Sequence, residues 1–468
     1  MIKQNADFGL IGLGVMGKSL LLNIADHGYR VIGYDKDTDK VKDLTDSGIV
    51  AVETLKDFVQ GLAKPRKIMM LLPAGEIVDK VIAEITSLLE KGDILMDGGN
   101  TFFKDTERRQ NALKPIGIDY LGIGISGGEA GARNGPSMMP SGNQSAYRHI
   151  EPILTAISAK AQHKPCVAYL GEGGAGHYVK MVHNGIEYAL MQVLAEVYDI
   201  MKRGVGLSNQ QISDIFADWN AKKLQSFLLE ISVPLLTQKD TDTDSDLIDL
   251  ILDKGKQKGT GKWTSQNALD VGEAVPMIDV AVIARALSSV KEQRLLAAEL
   301  LQQDCYQAMN KKRKKIIKQL KKATYFAFLL AYAQGFALLQ SAKKEYGYTY
   351  NLAEVASIWR GGCIIRAKLL SLFKQAFRKT PSLPNPLLDA AIAAQLNKTE
   401  NHARTTLLDA VQCGLPVLCL GAGVAYFDSY RCPTLPANLI QAQRDFFGAH
   451  TYERVDKKGV FHTQWEKS

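Results

Sequence analysis

An α/β domain on a parallel sheet, then a large all-α domain and a C-terminal tail, is the architecture this sequence predicts. Three observations predict it. The first third alternates short apolar runs with helix-like stretches. Near Ala175 the alternation stops and long segments of 3.6-residue periodicity take over. After Pro433 the composition changes again, to a stretch with few long apolar runs. At 468 residues the chain is long enough for two or three domains. Its 46% hydrophobic and 23% charged residues are ordinary for a globular protein, and exclude disorder along most of the chain as well as fibrous and disulfide-scaffold classes.

In chain order, Phe8 to Leu13 reads as a strand, and Gly17 to His27 has helical spacing that ends near Gly28. Val31 to Tyr34, Lys67 to Leu72 and Asp93 to Met96 read as further strands, with Asp119 to Ile125 and Cys166 to Leu170 as additional candidates. Strands alternating with helices imply crossover units, and ligands of such sheets bind at the carboxyl ends of the strands. The loops there are Gly12 to Gly17, Leu72 to Gly75, Asp97 to Asn100 and Ser126 to Glu129. The glycine-rich Gly171 to Gly176 stretch reads as a hinge. Beyond it, Tyr178 to Arg203, Asp279 to Met309 and Ile316 to Ala342 read as helices. The expected domains are therefore 1–175, 176–433 and a tail, 434–468, too short for a core of its own.

Ala323 to Leu339 is mostly apolar and follows the basic run Lys311 to Lys322, a pairing that a membrane span often shows. Thr324, Gln334 and Gly335 interrupt it, and it falls short of the roughly 20 apolar residues a bilayer needs. It reads as a buried helix, with the basic run a solvated face that turns Ile316, Ile317 and Leu320 inward. The six cysteines, Cys166, Cys305, Cys363, Cys413, Cys419 and Cys432, form no C-x-x-C pair and have no histidine at finger-like spacing. They read as reduced thiols of a cytoplasmic protein, with no structural metal. The net charge of +8 suits anionic small molecules and does not by itself indicate nucleic acid.

Two segments carry chemistry. Gly12-Leu13-Gly14-Val15-Met16-Gly17 follows a strand, opens a helix and has Asp35 at the end of the next strand. In that context a G-x-G-x-x-G loop reads as a Rossmann-type dinucleotide site. The glycines permit the tight turn, the approach of the pyrophosphate and close helix packing, and the helix N-terminus faces the phosphates. Asp35 can accept from the adenosine ribose hydroxyls. In the second segment Lys180, His183, Asn184 and Glu187 stand at i, i+3, i+4 and i+7, and so share one helix face. A base, an amide and an acid on an otherwise apolar helix are not the usual solvated stripe. Lys258-Gly-Thr260-Gly-Lys262, Arg285, Arg444, His450 and Ser126-Gly127-Gly128 are not connected by spacing.

The motifs GLGVMGKSLLLN, MDGGNTFFKDTERR, GIGISGGEAGARNGPSMMPSG, GAGHYVKMVHNGIEY, QKGTGKWT, WRGGCIIR and QRDFFGAHTYE together resemble the decarboxylating 6-phosphogluconate dehydrogenases over essentially the whole chain. Shorter β-hydroxyacid dehydrogenases share only the earlier motifs, and a non-enzymatic dinucleotide sensor would be expected to lack Lys180 or Glu187. The resemblance implies Lys180 as base and Glu187 as acid. It implies that Gly12 to Gly17, with Leu72, Pro73 and Ala74, bind the cofactor, and that Asn100 touches both cofactor and sugar acid. Ser126, Gly127, Gly128, His183 and Asn184 would bind the sugar acid, and Tyr188, Lys258, Thr260 and Arg285 its phosphate. Arg444 and His450 would reach that pocket from the other subunit of a homodimer. Two departures bear on the cofactor. Asp35-Lys36-Asp37 stands where the family commonly has Asn-Arg-Thr, and Pro73 where a lysine is common. NADP is the family default, but the repulsion between Asp35 and a 2′-phosphate leads to the expectation of NAD over NADP by about tenfold or more.

Overall fold

The computed structural model describes residues 5–301, 309 and 311–465. Its N-terminal part is a seven-stranded sheet. In chain order it runs β1 (Phe8–Ile11), α1 (Val15–Asp26), β2 (Val31–Tyr34), α2 (Thr38–Asp46), β3 (Val50–Val52), α3 (Leu55–Gln60), β4 (Lys67–Met70), α4 (Glu76–Thr86), β5 (Ile94–Asp97), α5 (Phe103–Leu113), β6 (Asp119–Ser126), α6 (Gly128–Asn134), β7 (Ser137–Gly142) and α7 (Gln144–Ile157). The strand order is β3-β2-β1-β4-β5-β6-β7. All neighbours are parallel except β6 and β7, whose register runs from Leu121↔Gly142 to Ser126↔Ser137. Order reverses between β1 and β4, and the ends of these two strands open the ligand crevice of a doubly wound sheet.

The sequence reading misses β3 and β7. β3 is three residues long, and β7 (Ser137–Gly142, SMMPSG) carries a proline and serines that argue against a strand; it pairs with β6 and is fully buried. Cys166 to Leu170 is not a strand of the sheet. It lies beside β7 through Met138 N–H to Cys166 O, Leu170 N–H to Pro140 O, and a single bridge from Met138 to Val167.

Helix α8 (Ala175–Asp199) starts the all-α part and lies directly against the sheet. Contact is possible because the facing residues lack side chains. A Cβ at Gly176 would stand 2.1 Å from Met139 O, and one at Gly124 would stand 2.5 Å from Lys180 Cβ. Gly171 to Gly176 is thus a packed joint rather than a free hinge. The expected helix Asp279 to Met309 is two, Pro276–Ser289 and Lys291–Leu300, broken at Val290; residues 302–308 lie outside the description, and Cys305 with them. Arg313–Tyr346 is long and apolar enough to cross a membrane by length and composition, but its residues from Ala323 to Leu339 are all buried among the other helices. Ile316 and Leu320 do turn inward, while Lys311 pairs with Asp409 and Lys321 with Asp218.

The tail comprises a helix, Ala437–Gly448, and a two-stranded hairpin of Tyr452–Glu453 with Val460–Phe461. Leu439, Ile440, Phe446 and Phe447 on that helix are exposed. The fully buried Asp445 carboxylate organises the tail by accepting from Thr451 N, Thr463 N, His462 Nδ1 and Trp465 Nε1.

Candidate active site

The glycine-rich loop joins β1 to α1. Gly12 has φ +96°, and a Cβ there would stand 2.5 Å from Leu71 O, so only glycine makes this turn. A Cβ at Gly17 would collide with Gly12 O. Beside Gly14 nothing lies within 4 Å of the Cβ position, which leaves backbone open to a close-approaching group. The first turn of α1 holds no acidic residue, so its N–H groups and dipole face that space unopposed. These features fit a dinucleotide pyrophosphate. A cleft of about 820 Å³ runs from Gly14 to Gly17 past Leu72, Pro73 and Ala74 to Asn100, and Lys258 and Trp263 reach it from the helical part. Trp263 and Phe102, which packs on it at 5.4 Å between centroids, are lining residues that the sequence reading gives no role.

At the adenosine end the expectation for Asp35 requires correction. Its Oδ2 accepts from Leu13 N–H at 2.8 Å and its Oδ1 from Asp37 N–H at 3.0 Å. Lys40 Nζ lies 3.8 Å from Asp35 and 3.3 Å from Asp37. The carboxylate is turned onto the glycine-rich loop, and its charge is opposed by two N–H groups and an ammonium. The repulsion worked from a free carboxylate is therefore weakened, although one ammonium serves both Asp35 and Asp37. Asp37 caps α2 by accepting from Asp39 N–H, and Lys36 is exposed.

The stripe on α8 is where spacing put it. Lys180, His183 and Asn184 are buried, and Glu187 is partly so. Lys180 Nζ donates to Asn184 Oδ1 at 2.5 Å, and Asn184 Nδ2 donates to Thr260 Oγ1 at 3.1 Å. His183 Nδ1 lies 3.0 Å from the same Asn184 oxygen and Nε2 lies 3.1 Å from Ser126 Oγ. Burial in this apolar surround holds His183 well below the usual histidine range, with the Lys180 charge adding to the effect, so the ring is neutral. With Asn184 Oδ1 an acceptor, Nδ1 must carry the proton, Nε2 must accept, and Ser126 must donate to it. One hydrogen-bond chain thus links the base candidate, through the helix, to the turn after β6.

Burial lowers the Lys180 pKa, with Glu187 pulling the other way; burial raises that of Glu187, with Lys180 and Arg285 pulling it back. Arg285 stacks on the Tyr188 ring, its guanidinium carbon 3.4 Å from the centroid, and Gly261 leaves the space that ring fills. Gly127 (φ +123°) and Gly128 (φ +62°) form the turn that starts α6. The fold therefore gathers Ser126, Lys180, His183, Asn184 and Thr260 by hydrogen bonds, with Glu187, Tyr188 and Arg285 one turn further along. It does not bring Arg444 or His450 of the same chain to them. Among the described residues, the exposed Arg444 donates to Gln441 Oε1, and His450 is exposed against Phe447.

Comparison with known proteins places the chain in a family. Residues 7–171 match the model of the NAD binding domain of 6-phosphogluconate dehydrogenase, and residues 176–465 that of the enzyme's C-terminal domain. The chain is 46% identical over 471 residues to a Bacillus subtilis protein, "6-phosphogluconate dehydrogenase, NADP(+)-dependent, decarboxylating", covering 100% of both chains. It is 45% identical over 470 residues to the Escherichia coli 6-phosphogluconate dehydrogenase, decarboxylating, covering 99% of this chain and 100% of that one. The Plasmodium falciparum 6-phosphogluconate dehydrogenase structure superposes with a TM-score of 0.95 at 39% identity, over 98% of this chain and 100% of that one. With matches of this extent in both halves, the chain belongs to the 6-phosphogluconate dehydrogenase family.

Proposed function

We propose that this protein oxidises 6-phosphogluconate at carbon 3 and releases the carboxylate as CO2, giving ribulose 5-phosphate with reduction of NADP, from active sites shared between the subunits of a homodimer. One observation carries the reading. Lys180 and Glu187, two ionisable groups that burial drives toward neutrality, share a helix face with His183 and Asn184 beside the dinucleotide cleft.

The bound dinucleotide supplies the acceptor for the hydride. Neutral Lys180 takes the proton of the carbon 3 hydroxyl, and the resulting ketone lies β to the carboxylate. Loss of CO2 leaves an enolate whose oxygen the protonated Lys180 stabilises. Glu187, protonated as burial favours, delivers a proton to carbon 2 of the former substrate, which becomes carbon 1 of ribulose 5-phosphate. Ser126, His183 and Asn184 orient the sugar acid, and Arg285 with Lys258 supplies positive charge for its phosphate. Arg444 and His450 come from the partner's tail. Support for that assignment is the apolar surface the tail leaves uncovered at Leu439, Ile440, Phe446 and Phe447.

For the cofactor, NADP is supported by the NADP(+)-dependent name of the Bacillus relative and by Lys36 and Lys40, which stand beside Asp35. Absorbance at 340 nm with 6-phosphogluconate and either NADP⁺ or NAD⁺ tests both parts. No turnover with either cofactor would overturn the reaction, and a higher kcat/KM with NAD⁺ would restore the repulsion argument. A β-hydroxyacid dehydrogenase of other specificity would instead turn over an unphosphorylated acid at least as well.

A further inference from the structure

In the motif MDGGNTFFKDTERR, Asp97, Thr101 and Arg109 are among the residues that no step above uses. The Asp97 carboxylate is fully buried at the end of β5. Its Oδ1 accepts from Gly99 N–H at 2.9 Å. Its Oδ2 accepts from Thr101 Oγ1 at 2.7 Å, Tyr120 OH at 3.0 Å and Arg109 at 3.4 Å. Arg109, also buried, grips Asp79 with two nitrogens at 2.9 and 3.0 Å and donates to Gly75 O at 3.0 Å.

These contacts join two separate pieces of backbone. Gly75 ends the Leu72–Gly75 loop that lines the dinucleotide cleft after β4, and Gly98 to Asn100 form the neighbouring lining loop after β5. Arg109, Asp97 and Thr101 do not line the cleft themselves. Stability alone does not explain the cluster, because well-packed apolar residues serve as well as a buried ion pair. A planar guanidinium with its donors shared between two loops fixes their spacing and angle, which an apolar contact would not do.

We propose that Arg109 and Asp97 form a strut that locks the two neighbouring lining loops to one another and thereby places Asn100 between dinucleotide and sugar acid. They are positioning residues. The proposal rests on the dehydrogenase reading of the site. Thr101→Val and Tyr120→Phe each remove one hydrogen bond to Asp97, and Arg109→Lys removes the fork. Steady-state kinetics, NADP⁺ affinity by calorimetry and thermal melting are measured on all three. Displacements near 1 Å at a reacting centre cost on the order of 100-fold. The expected result is a kcat lowered by roughly 10- to 100-fold and a severalfold weaker NADP⁺ Kd, out of proportion to any change in melting. If Arg109→Lys fails to fold, the two milder variants decide. Variants that melt lower yet keep kcat and Kd within about twofold of native overturn the strut. A native protein that binds NADP⁺ without oxidising 6-phosphogluconate overturns the function instead, and the variants' NADP⁺ affinity still tests the strut.

Discussion

Gly124→Ala tests whether the close seat of α8 on β6 sets the position of the base. The added methyl would stand 2.5 Å from Lys180 Cβ, 3.0 Å from Gly176 O and 3.1 Å from Lys180 Cγ. Carbon atoms pack at roughly 3.5–4.0 Å, so Lys180 or its helix must retreat by about 1 Å. The neighbours cannot yield easily, since a Cβ at Gly176 already has only 2.1 Å to Met139 O on the same contact. Overpacking of this kind costs roughly 1–3 kcal/mol, which a domain of this size tolerates without unfolding. A displacement near 1 Å at the reacting atom lowers turnover on the order of 100-fold. The assay is kcat at 340 nm with saturating 6-phosphogluconate and NADP⁺, alongside a melting curve. A folded Gly124→Ala protein with kcat within about twofold of native would refute the reasoning, because the seat of Lys180 would then not limit catalysis.

Three further outcomes are expected. Lys180→Met should lose roughly 100- to 10,000-fold in kcat with little change in melting, and Glu187→Gln should slow turnover in the same assay; unchanged rates would remove either residue from the mechanism. Mixing Arg444→Ala with Lys180→Met subunits should regain activity in heterodimers, and heterodimers that form without activity would exclude shared sites. Glu196, buried where its carboxylate accepts from Cys419 N–H at 2.7 Å and Leu420 N–H at 2.9 Å, has its pKa raised from 4.5 to about 7, chiefly by burial. A raised folded pKa favours the native state at low pH, so about 3 kcal/mol should be lost as pH rises from 4.5 to 7. Melting curves of native protein and Glu196→Gln should therefore converge at low pH, separate between pH 4.5 and 7 and stay apart above it; parallel pH dependence would contradict this.

The parts of the site legible in the sequence are those fixed by local geometry. Lys180, His183, Asn184 and Glu187 declare a common face through spacing alone, and Gly12, Gly14 and Gly17 declare their loop. The long buried helix was legible because Thr324, Gln334 and Gly335 break its apolar run. What was not legible depends on which segments meet. Nothing in the sequence says that Arg109 reaches Asp79 and Asp97, that Gly124 is the seat of Lys180, or that Trp263 lines the cleft. Asp35 shows the same limit. Its identity predicts a ligand for ribose, but its carboxylate is drawn to Leu13 N–H and Asp37 N–H, donors that the fold supplies. β7 escaped because its pairing with β6, not its own composition, makes it a strand.

The chemistry proposed needs an unprotonated amine and a protonated carboxyl in one pocket, the reverse of what water gives these groups near neutral pH. Burial acts on both in the required sense, lowering Lys180 and raising Glu187. Their mutual attraction opposes it, and would win if the two met in an ion pair. The intervening chain is what prevents that. Lys180 Nζ is held on Asn184 Oδ1, one turn short of Glu187, and Asn184 is held in turn by Thr260. The Glu187 carboxylate lies instead 3.8 Å from His183 Nδ1, on a ring that burial keeps neutral and that offers no full charge to stabilise it. Asn184 thus stands between base and acid candidates on one helix face, holding Lys180 Nζ one turn short of Glu187 while burial lowers the pKa of the one and raises that of the other.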